Sequence, residues 1–291
     1  MSIYKPQKIA AITAETGENK ARYPIVTVLV LGFLAGAYIA LGFLLDIRVI
    51  ASAPTEWGSI AGFIGAAVFP IGLILVLLAG GELATGNMMA VSLARITRRI
   101  TTGEWLKNLA LVTLGNFVGA LFVAYMFGHV VGLTADGPYL EKLVAMAGHK
   151  LEDGFLEAFV SGIGCNWLVA LAVWLCYASD SMSGKILGIW FPTMAFVAIG
   201  FQHVVANMFL IPAAIFEGYY SWGDYFANFV PVWLGNLTGG AIFVGCAYYI
   251  AYLRDTSARA SVHKVHQEAV QHQEPVQGKP AAVNSDIQAR M

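Results

Sequence analysis

The sequence predicts an all-α integral membrane protein whose six transmembrane helices form an inverted repeat of three plus three. Three observations predict this fold class. Of the 291 residues, 58% are hydrophobic and only 12% are charged, whereas a soluble domain carries roughly 25% charged residues. The chain has six apolar stretches, each near the length of about 20 residues that a spanning helix needs. Two short motifs also recur at one fixed offset along the chain.

The six apolar stretches differ in continuity. Four are uninterrupted, whereas the second and the fifth contain a polar break, which a bilayer tolerates only where it is buried in protein or lines a cavity. The predicted spans are 23–45, 59–94 with an interruption after residue 80, 105–131, 155–178, 186–216 with an interruption at His203, and 225–253. Six crossings place both termini on one side of the membrane.

The loop charges orient the spans. Lysines and arginines concentrate before the first span, in the second loop and after the last span, whereas the first, third and fifth loops hold only Arg48, Lys142 and Lys150. The positive-inside rule therefore predicts a multi-pass protein of the cell membrane with both termini in the cytoplasm. We expect a cytoplasmic segment at 1–22, a six-helix domain at 23–254 with halves at 23–131 and 155–254, and a disordered cytoplasmic tail at 255–291.

Several partner classes are disfavoured by composition. The net charge is −1 and no basic patch indicates nucleic acid. The three cysteines lie in apolar segments without CxxC spacing, which predicts buried thiols rather than metal or disulfide chemistry. For the tail histidines, a solvated tail is favoured over a metal-binding one. We expect no metal and no cofactor. The cysteines are Cys165, Cys176 and Cys246, and the tail histidines are His263, His266 and His272.

An internal repeat relates the two halves of the chain. The stretch 80–88, GGELATGNM, aligns with the stretch 200–208, GFQHVVANM, at an offset of 120 residues. The stretch 115–119, GNFVG, matches 235–239, GNLTG, at the same offset. With three spans in each half, the halves face opposite ways across the membrane. The breaks in the second and fifth spans are therefore expected to meet near the midplane around a shared path.

The break residues indicate the chemistry of that path. His203 is an ionisable ring at membrane depth, which is costly unless a cavity, water or a partner receives it. It can donate a hydrogen bond when neutral and a proton when charged, and the alternative is a buried histidine that pins helices together. The Thr85 hydroxyl is able to donate to an anion, or to bond back to its own helix.

Four further polar residues are expected to support the breaks: Glu82, Asn87, Gln202 and Asn207. For Glu82 and Gln202 we expect bonds to the backbone N–H groups that an interrupted helix leaves free, rather than contact with a solute.

Other residues flank the predicted path. Phe69 and Phe196 are candidates for hydrophobic constrictions that gate a pore by dewetting, although ordinary packing or lipid-facing aromatics are an equal alternative. Lys150, just outside the fourth span, is placed to draw anions into a vestibule. An interfacial lysine whose head reaches to water is the alternative for that residue.

These motifs carry a resemblance to a known family. The stretches 81–87, GELATGN, and 200–212, GFQHVVANMFLIP, resemble the two signature stretches of the formate/nitrite transporter family, and 166–174, NWLVALAVW, resembles its fourth span. The similarity covers residues 5–255. It implies an aquaporin-like fold assembled as a homopentamer with one pore per protomer. It also implies passage of small monovalent anions or their conjugate acids: formate, nitrite, hydrosulfide, acetate or lactate.

The resemblance also implies roles for individual residues. Thr85 matches the family's loop threonine, His203 its central histidine, Asn166 its path-facing asparagine and Lys150 its vestibule lysine. The constriction positions are matched by Leu73, Leu83, Phe69, Phe196 and Val169.

Two residues depart from the family pattern. Gln202 stands where many members carry Glu, which removes a negative neighbour of the histidine. Ala84 stands where formate channels carry Phe, which is expected to widen the inner constriction and loosen selectivity.

The sequence thus predicts a channel for small monovalent anions, with formate first and nitrite close behind. His203 either shares a proton with the anion or only donates a hydrogen bond to it. A water or glycerol channel would be expected to carry an Asn-Pro-Ala pair at the breaks, and neither break has one. A membrane enzyme or a receptor is the alternative from a different class, and only one mid-membrane histidine is visible for catalysis.

Overall fold

The structure is a computed structural model that describes residues 3–254, so the predicted tail at 255–291 lies outside the described residues. The described chain is helical, with a short 3₁₀ turn at Thr55–Trp57. We number its helices α1 Pro6–Ala21, α2 Ile25–Ile50, α3 Ser59–Gly80, α4 Ala84–Ile96, α5 Thr102–Val130, α6 Gly137–Leu151, α7 Phe155–Tyr177, α8 Met182–Ile199, α9 Val204–Phe216 and α10 Trp222–Leu253.

Six of the described helices are long and apolar enough to cross a membrane, which confirms the six predicted spans. They are α2, α3, α5, α7, α8 and α10, with mean hydropathies from 1.4 to 2.6. The first span runs to Ile50 rather than ending at residue 45. The helix continues through Asp46 and Arg48. Asp46 is buried against the bare backbone of Gly65, and the Arg48 guanidinium lies 3.4 Å from the centre of the Tyr139 ring.

The ten helices form two matching sets of five, α1–α5 and α6–α10. The short helices α4 and α9 each have 13 residues. The long helices that follow them begin with the same device, a capping box of Thr101 with Glu104 in α5 and of Ser221 with Asp224 in α10. These caps are again 120 residues apart, so the repeat in the sequence is a repeat of structure.

Two helices lie in segments that the sequence assigned to no span. The third loop contains α6, which starts with Pro138 in its first turn and buries Leu143 and Ala147. The expected segment at 1–22 contains α1, which packs on α4. A Cβ added at Gly17 would lie 1.9 Å from the Ala90 carbonyl oxygen, so the two backbones touch. Both segments are therefore integral parts of the helical fold.

Glycines end the helices before each break. Gly80 has a φ of 105° and Gly200 a φ of 90°, left-handed values that only glycine adopts without steric cost. The chain turns there, and α4 and α9 start four residues later with Ala84 and Val204. Both starts are buried in one large apolar core, so the interruptions lie inside protein as a bilayer requires.

Candidate functional site

The two breaks meet at a contact between Thr85 and His203. The Thr85 hydroxyl oxygen Oγ1 lies 3.2 Å from the His203 ring nitrogen Nε2, and both side chains are buried. Thr85 belongs to the first turn of α4, and His203 immediately precedes α9. The N-termini of two helices therefore point into one small region, where their free N–H groups and partial positive charge favour an anion.

The tautomer of His203 follows from its second hydrogen bond. Its Nδ1 accepts the backbone N–H of Ala206 at 3.0 Å and so caps the start of α9. A neutral imidazole with an acceptor at Nδ1 carries its single proton on Nε2. The Nε2–H therefore faces Thr85, and a second proton on Nδ1 would set two donors against each other.

Asn116 of α5 anchors the first break. Its Oδ1 accepts the free N–H of Ala84 at 2.8 Å, and its Nδ2 donates to the carbonyls of Gly32 and Glu82, both at 2.8 Å. One buried amide thus satisfies the two backbone groups of Ala84 and Glu82 that the interruption would leave unpaired, and it ties the break to α2 through Gly32.

Asn236 of α10 does the same at the second break. Its Oδ1 accepts the N–H of Val204 at 2.9 Å, and its Nδ2 donates to Gly162 at 2.8 Å and to Gln202 at 3.0 Å. No role in the breaks was predicted for Asn116 and Asn236. The signal was present, because both belong to the second repeated motif, GNFVG and GNLTG.

The side chains of Glu82 and Gln202 make different bonds from those expected. The carboxylate of Glu82 pairs with the Lys20 ammonium and accepts from Asn87 Nδ2 at 2.7 Å. The amide of Gln202 accepts from Asn207 Nδ2 at 2.8 Å and donates to the carbonyl of Lys150 at 3.0 Å. Glu82 binds two side chains, and Gln202 binds a side chain and a carbonyl. The N–H groups at the starts of α4 and α9 are already bound by Asn116 and Asn236. All four expected support residues lie at the breaks.

A cavity of about 150 Å³ runs from Lys150 to His203. Its walls are formed by Phe43, Phe69, Met146, His149, Lys150, Phe196, Val197, Gly200, Phe201, His203, Ala206 and Asn207. The Lys150 ammonium donates to the carbonyls of Gly200 at 2.7 Å and Phe201 at 3.1 Å. Burial lowers the pKa of this ammonium below its usual value. Lys150 therefore lies inward at the mouth of the cavity rather than reaching out to water.

Phe69 and Phe196 lie together in the wall of this cavity. Their ring centres are 5.8 Å apart and nearly perpendicular, and Phe196 also lies 5.4 Å from the His203 ring. Both phenylalanines are at most 3% exposed, which places them inside the protein rather than on the lipid-facing surface. The remaining expected constriction residues, Leu73, Leu83 and Val169, are buried in the same apolar core.

Asn166 of α7 connects Thr85 to α10. Its Nδ2 donates to the backbone carbonyl of Thr85 at 3.2 Å and to that of Asn236 at 2.7 Å. Its Oδ1 is buried without a partner among the described residues. Asn166 therefore fixes the first turn of α4 and retains one acceptor. In the part of the chain that the structure describes, no group of three or more His, Cys, Asp or Glu residues is placed to hold a metal ion.

The chain was compared with models of known protein families. The family model described as "Formate/nitrite transporter" matches residues 7–250. The chain belongs to the formate/nitrite transporter family. Its six spans and its family together make it a multi-pass membrane transporter, which confirms the resemblance found in its motifs.

Individual members of the family cover most of the chain. The "Uncharacterized transporter YrhG" of Bacillus subtilis (strain 168) is 57% identical over 265 residues, 91% of this chain and 100% of that protein. The "Formate channel BtFdhC" of Bacillus thuringiensis is 53% identical over 257 residues, 88% of this chain and 99% of the channel. A solved "Pentameric formate channel with formate bound" matches with a TM-score of 0.66 and 29% identity, over 79% of this chain and 98% of that one.

Proposed function

We propose that this protein is a formate channel of the cell membrane that also admits nitrite and other small monovalent anions. It forms a homopentamer with a separate pore in each protomer and has both termini in the cytoplasm. The observation that carries the proposal is the Thr85–His203 contact, where two helix N-termini present donors at the end of an apolar cavity. The similarity to BtFdhC and to the formate-bound pentamer supports formate as the anion.

Anions approach from the end of the cavity that holds Lys150. Its ammonium is the positive charge at that mouth, and a charge in a cleft with low-dielectric walls raises the local concentration of opposite ions. Beyond it, the rings of Phe69 and Phe196 narrow the cavity and offer no hydrogen bonds. Because a bare charge in apolar surroundings is costly, this constriction excludes hydrated ions of larger size and slows those that cannot shed water.

Donors receive the anion at the centre. The Nε2–H of His203 now donates to Thr85 Oγ1, and both groups turn to an anion oxygen when one arrives. The positive ends of α4 and α9 add to this stabilisation. Past the centre, the inner apolar constriction is formed by Leu73, Leu83 and Val169, with Ala84 leaving it wide.

His203 acts as a neutral donor in this mechanism. To give a proton to the anion, the ring would first have to carry two protons. The Nδ1 proton would then oppose the N–H of Ala206, and the cap of α9 would be lost. The geometry therefore favours donation of a hydrogen bond over the sharing of a proton.

A flux assay in proteoliposomes tests the proposal. Uptake of formate, nitrite, hydrosulfide and lactate is measured from pH 5 to 8 for the wild type, His203→Ala and His203→Gln. His129→Ala is the matched control, because His129 pairs with Glu217 outside the cavity.

Formate uptake is expected to exceed that of empty liposomes. It should fall roughly 10- to 100-fold in His203→Ala, since a hydrogen bond to a charged group is worth about 1.5–3 kcal/mol. His203→Gln keeps an amide donor and should keep the wild-type pH profile. Formate uptake no faster than in empty liposomes would reject the formate channel, and a pH profile that changes with His203→Gln would restore proton sharing.

A further inference from the structure

The two breaks share one hydrogen-bonded framework but differ in how the lysine beside each break is partnered. At the first break, Asn87 donates to Asn108 at 3.0 Å, and Asn108 donates to the carbonyl of Lys20 at 3.0 Å. At the second, Asn207 donates to Asn228 at 2.9 Å, and Asn228 donates to the carbonyl of Lys150 at 2.9 Å. Lys20 and Lys150 thus occupy equivalent places, each near the end of the helix that precedes the first span of its half.

The ammonium at the first break is neutralised. Lys20 pairs directly with the carboxylate of Glu82, and the two side chains are only 15% and 4% exposed. The same carboxylate accepts from Asn87. The positive charge of Lys20 is therefore neutralised by Glu82 within the hydrogen-bonded framework.

The ammonium at the second break has no such partner. The equivalent of Glu82 is Gln202, whose amide cannot neutralise a cation, and Lys150 donates to two carbonyls instead. Among the described residues, no ion pair joins Lys150 to a carboxylate. The nearby carboxylate of Asp153 accepts a hydrogen bond from Gln202 Nε2 at 2.7 Å. Gln202 therefore binds this carboxylate, which forms no ion pair with the Lys150 ammonium.

We propose that Gln202 is a positioning residue for anion capture, because its uncharged amide leaves the Lys150 ammonium free to attract anions at the mouth of the cavity. This rests on the proposed anion-channel function. The difference between Gln202 and Glu82 makes the two lysines unequal: the Lys20 ammonium is ion-paired, whereas the Lys150 ammonium donates only to carbonyl groups. Asp153 limits the positive charge and fixes the orientation of the Gln202 amide.

Moving one carboxylate tests this assignment. The double variant Gln202→Glu/Asp153→Asn keeps the net charge of the protein and transfers the carboxylate to the position that Glu82 holds in the other half. The KM for formate uptake into proteoliposomes should rise roughly three- to tenfold. Asp153→Asn alone removes the negative charge, and its KM should fall. Glu141→Gln is the control, because Glu141 lies on the same helix as Lys150 but is exposed and lines no part of the cavity, and its KM should match the wild type.

A second readout does not depend on transport. Cyanate carbamylates only neutral amines, and mass spectrometry reports the reaction at each lysine. In the wild type, Lys150 should react faster than Lys20, and the double variant should slow Lys150 to the rate of Lys20.

The outcomes separate this inference from the proposed function. Wild-type formate flux with an unchanged KM and an unchanged Lys150 reaction rate in the folded double variant would overturn the role of Gln202 alone. Wild-type protein without formate flux would overturn the formate channel, and the carbamylation rates would still decide whether Gln202 keeps the ammonium unpaired.

Discussion

Replacing Asn236 by Ala tests how the breaks are held. The amide of Asn236 makes three buried hydrogen bonds, to the N–H of Val204 and to the carbonyls of Gly162 and Gln202, at 2.8–3.0 Å. The side chain is fully buried, so water does not replace these partners without entering the core. The substitution leaves the N–H of Val204 and the carbonyl of Gln202 unpaired at the start of α9, and it removes the bond to the carbonyl of Gly162 in α7.

The expected loss in the free energy of unfolding follows from the three backbone groups that Asn236 binds. A side-chain hydrogen bond in a membrane protein contributes about 0.6 kcal/mol on average and about 1.7 kcal/mol at most, whereas an unpaired buried group costs about 1–3 kcal/mol. Three groups together give a loss of about 3 kcal/mol. With an unfolding entropy of about 2.1 cal/mol/K per residue, that loss lowers the apparent Tm of a chain of 291 residues by about 5 °C.

Thermal denaturation in detergent, followed by size-exclusion chromatography of the protein that stays folded, measures this shift. Thr238→Ala is the matched control, because Thr238 lies on the same helix and its hydroxyl makes one exposed bond, to the carbonyl of Leu234. Its Tm should stay within about 2 °C of the wild type. If Asn236→Ala melted together with Thr238→Ala, the asparagine would not hold the break, and the account of both breaks would be wrong.

Three further predictions concern charge and constriction. Lys20→Ala strands the buried carboxylate of Glu82 and should cost about 3–5 kcal/mol of stability, most of which the double variant Lys20→Ala/Glu82→Gln regains; thermal denaturation of both decides this. Phe196→Ala opens the wall beside His203 and should raise the ratio of lactate to formate flux in proteoliposomes, and an unchanged ratio would argue against a constriction there. Burial lowers the pKa of Lys150, and its positive charge is present below that pKa and lost above it. As the pH rises, formate uptake should therefore begin to fall at a lower pH than it would if Lys150 had the pKa of an exposed lysine. Lys150→Arg, which stays charged, should abolish that fall, and an identical pH profile in both proteins would contradict it.

Much of the fold was accessible from the sequence because it repeats. Apolar length gave the six spans, and the offset of 120 residues paired the two breaks and brought Thr85 to His203. The same offset also relates Asn108 to Asn228, which form equivalent hydrogen bonds at the two breaks. The repeat therefore relates the buried asparagines at the two breaks as well as the breaks themselves.

Other features lay beyond sequence reasoning for physical reasons. Lys20 and Lys150 are 130 residues apart rather than 120, because α2 and the connection that follows it are longer than α7 and the connection that follows that helix, and loops tolerate such differences. The helix α6 is short and carries charge, so an apolar window of spanning length does not detect it. The tautomer of His203 depends on the N–H of Ala206, and histidine is not among the residues that ordinarily cap a helix.

The state of the His203 ring tests the central claim most directly. Solid-state NMR of ¹⁵N-histidine-labelled protein in lipid, with His203→Gln to assign the signal, reports which ring nitrogens carry protons between pH 5 and 8. The account predicts one proton, on Nε2, and an unprotonated Nδ1 throughout, with the Nε2 signal shifting when formate is added. A ring protonated on both nitrogens in the presence of formate would contradict the neutral donor and make His203 a proton carrier instead.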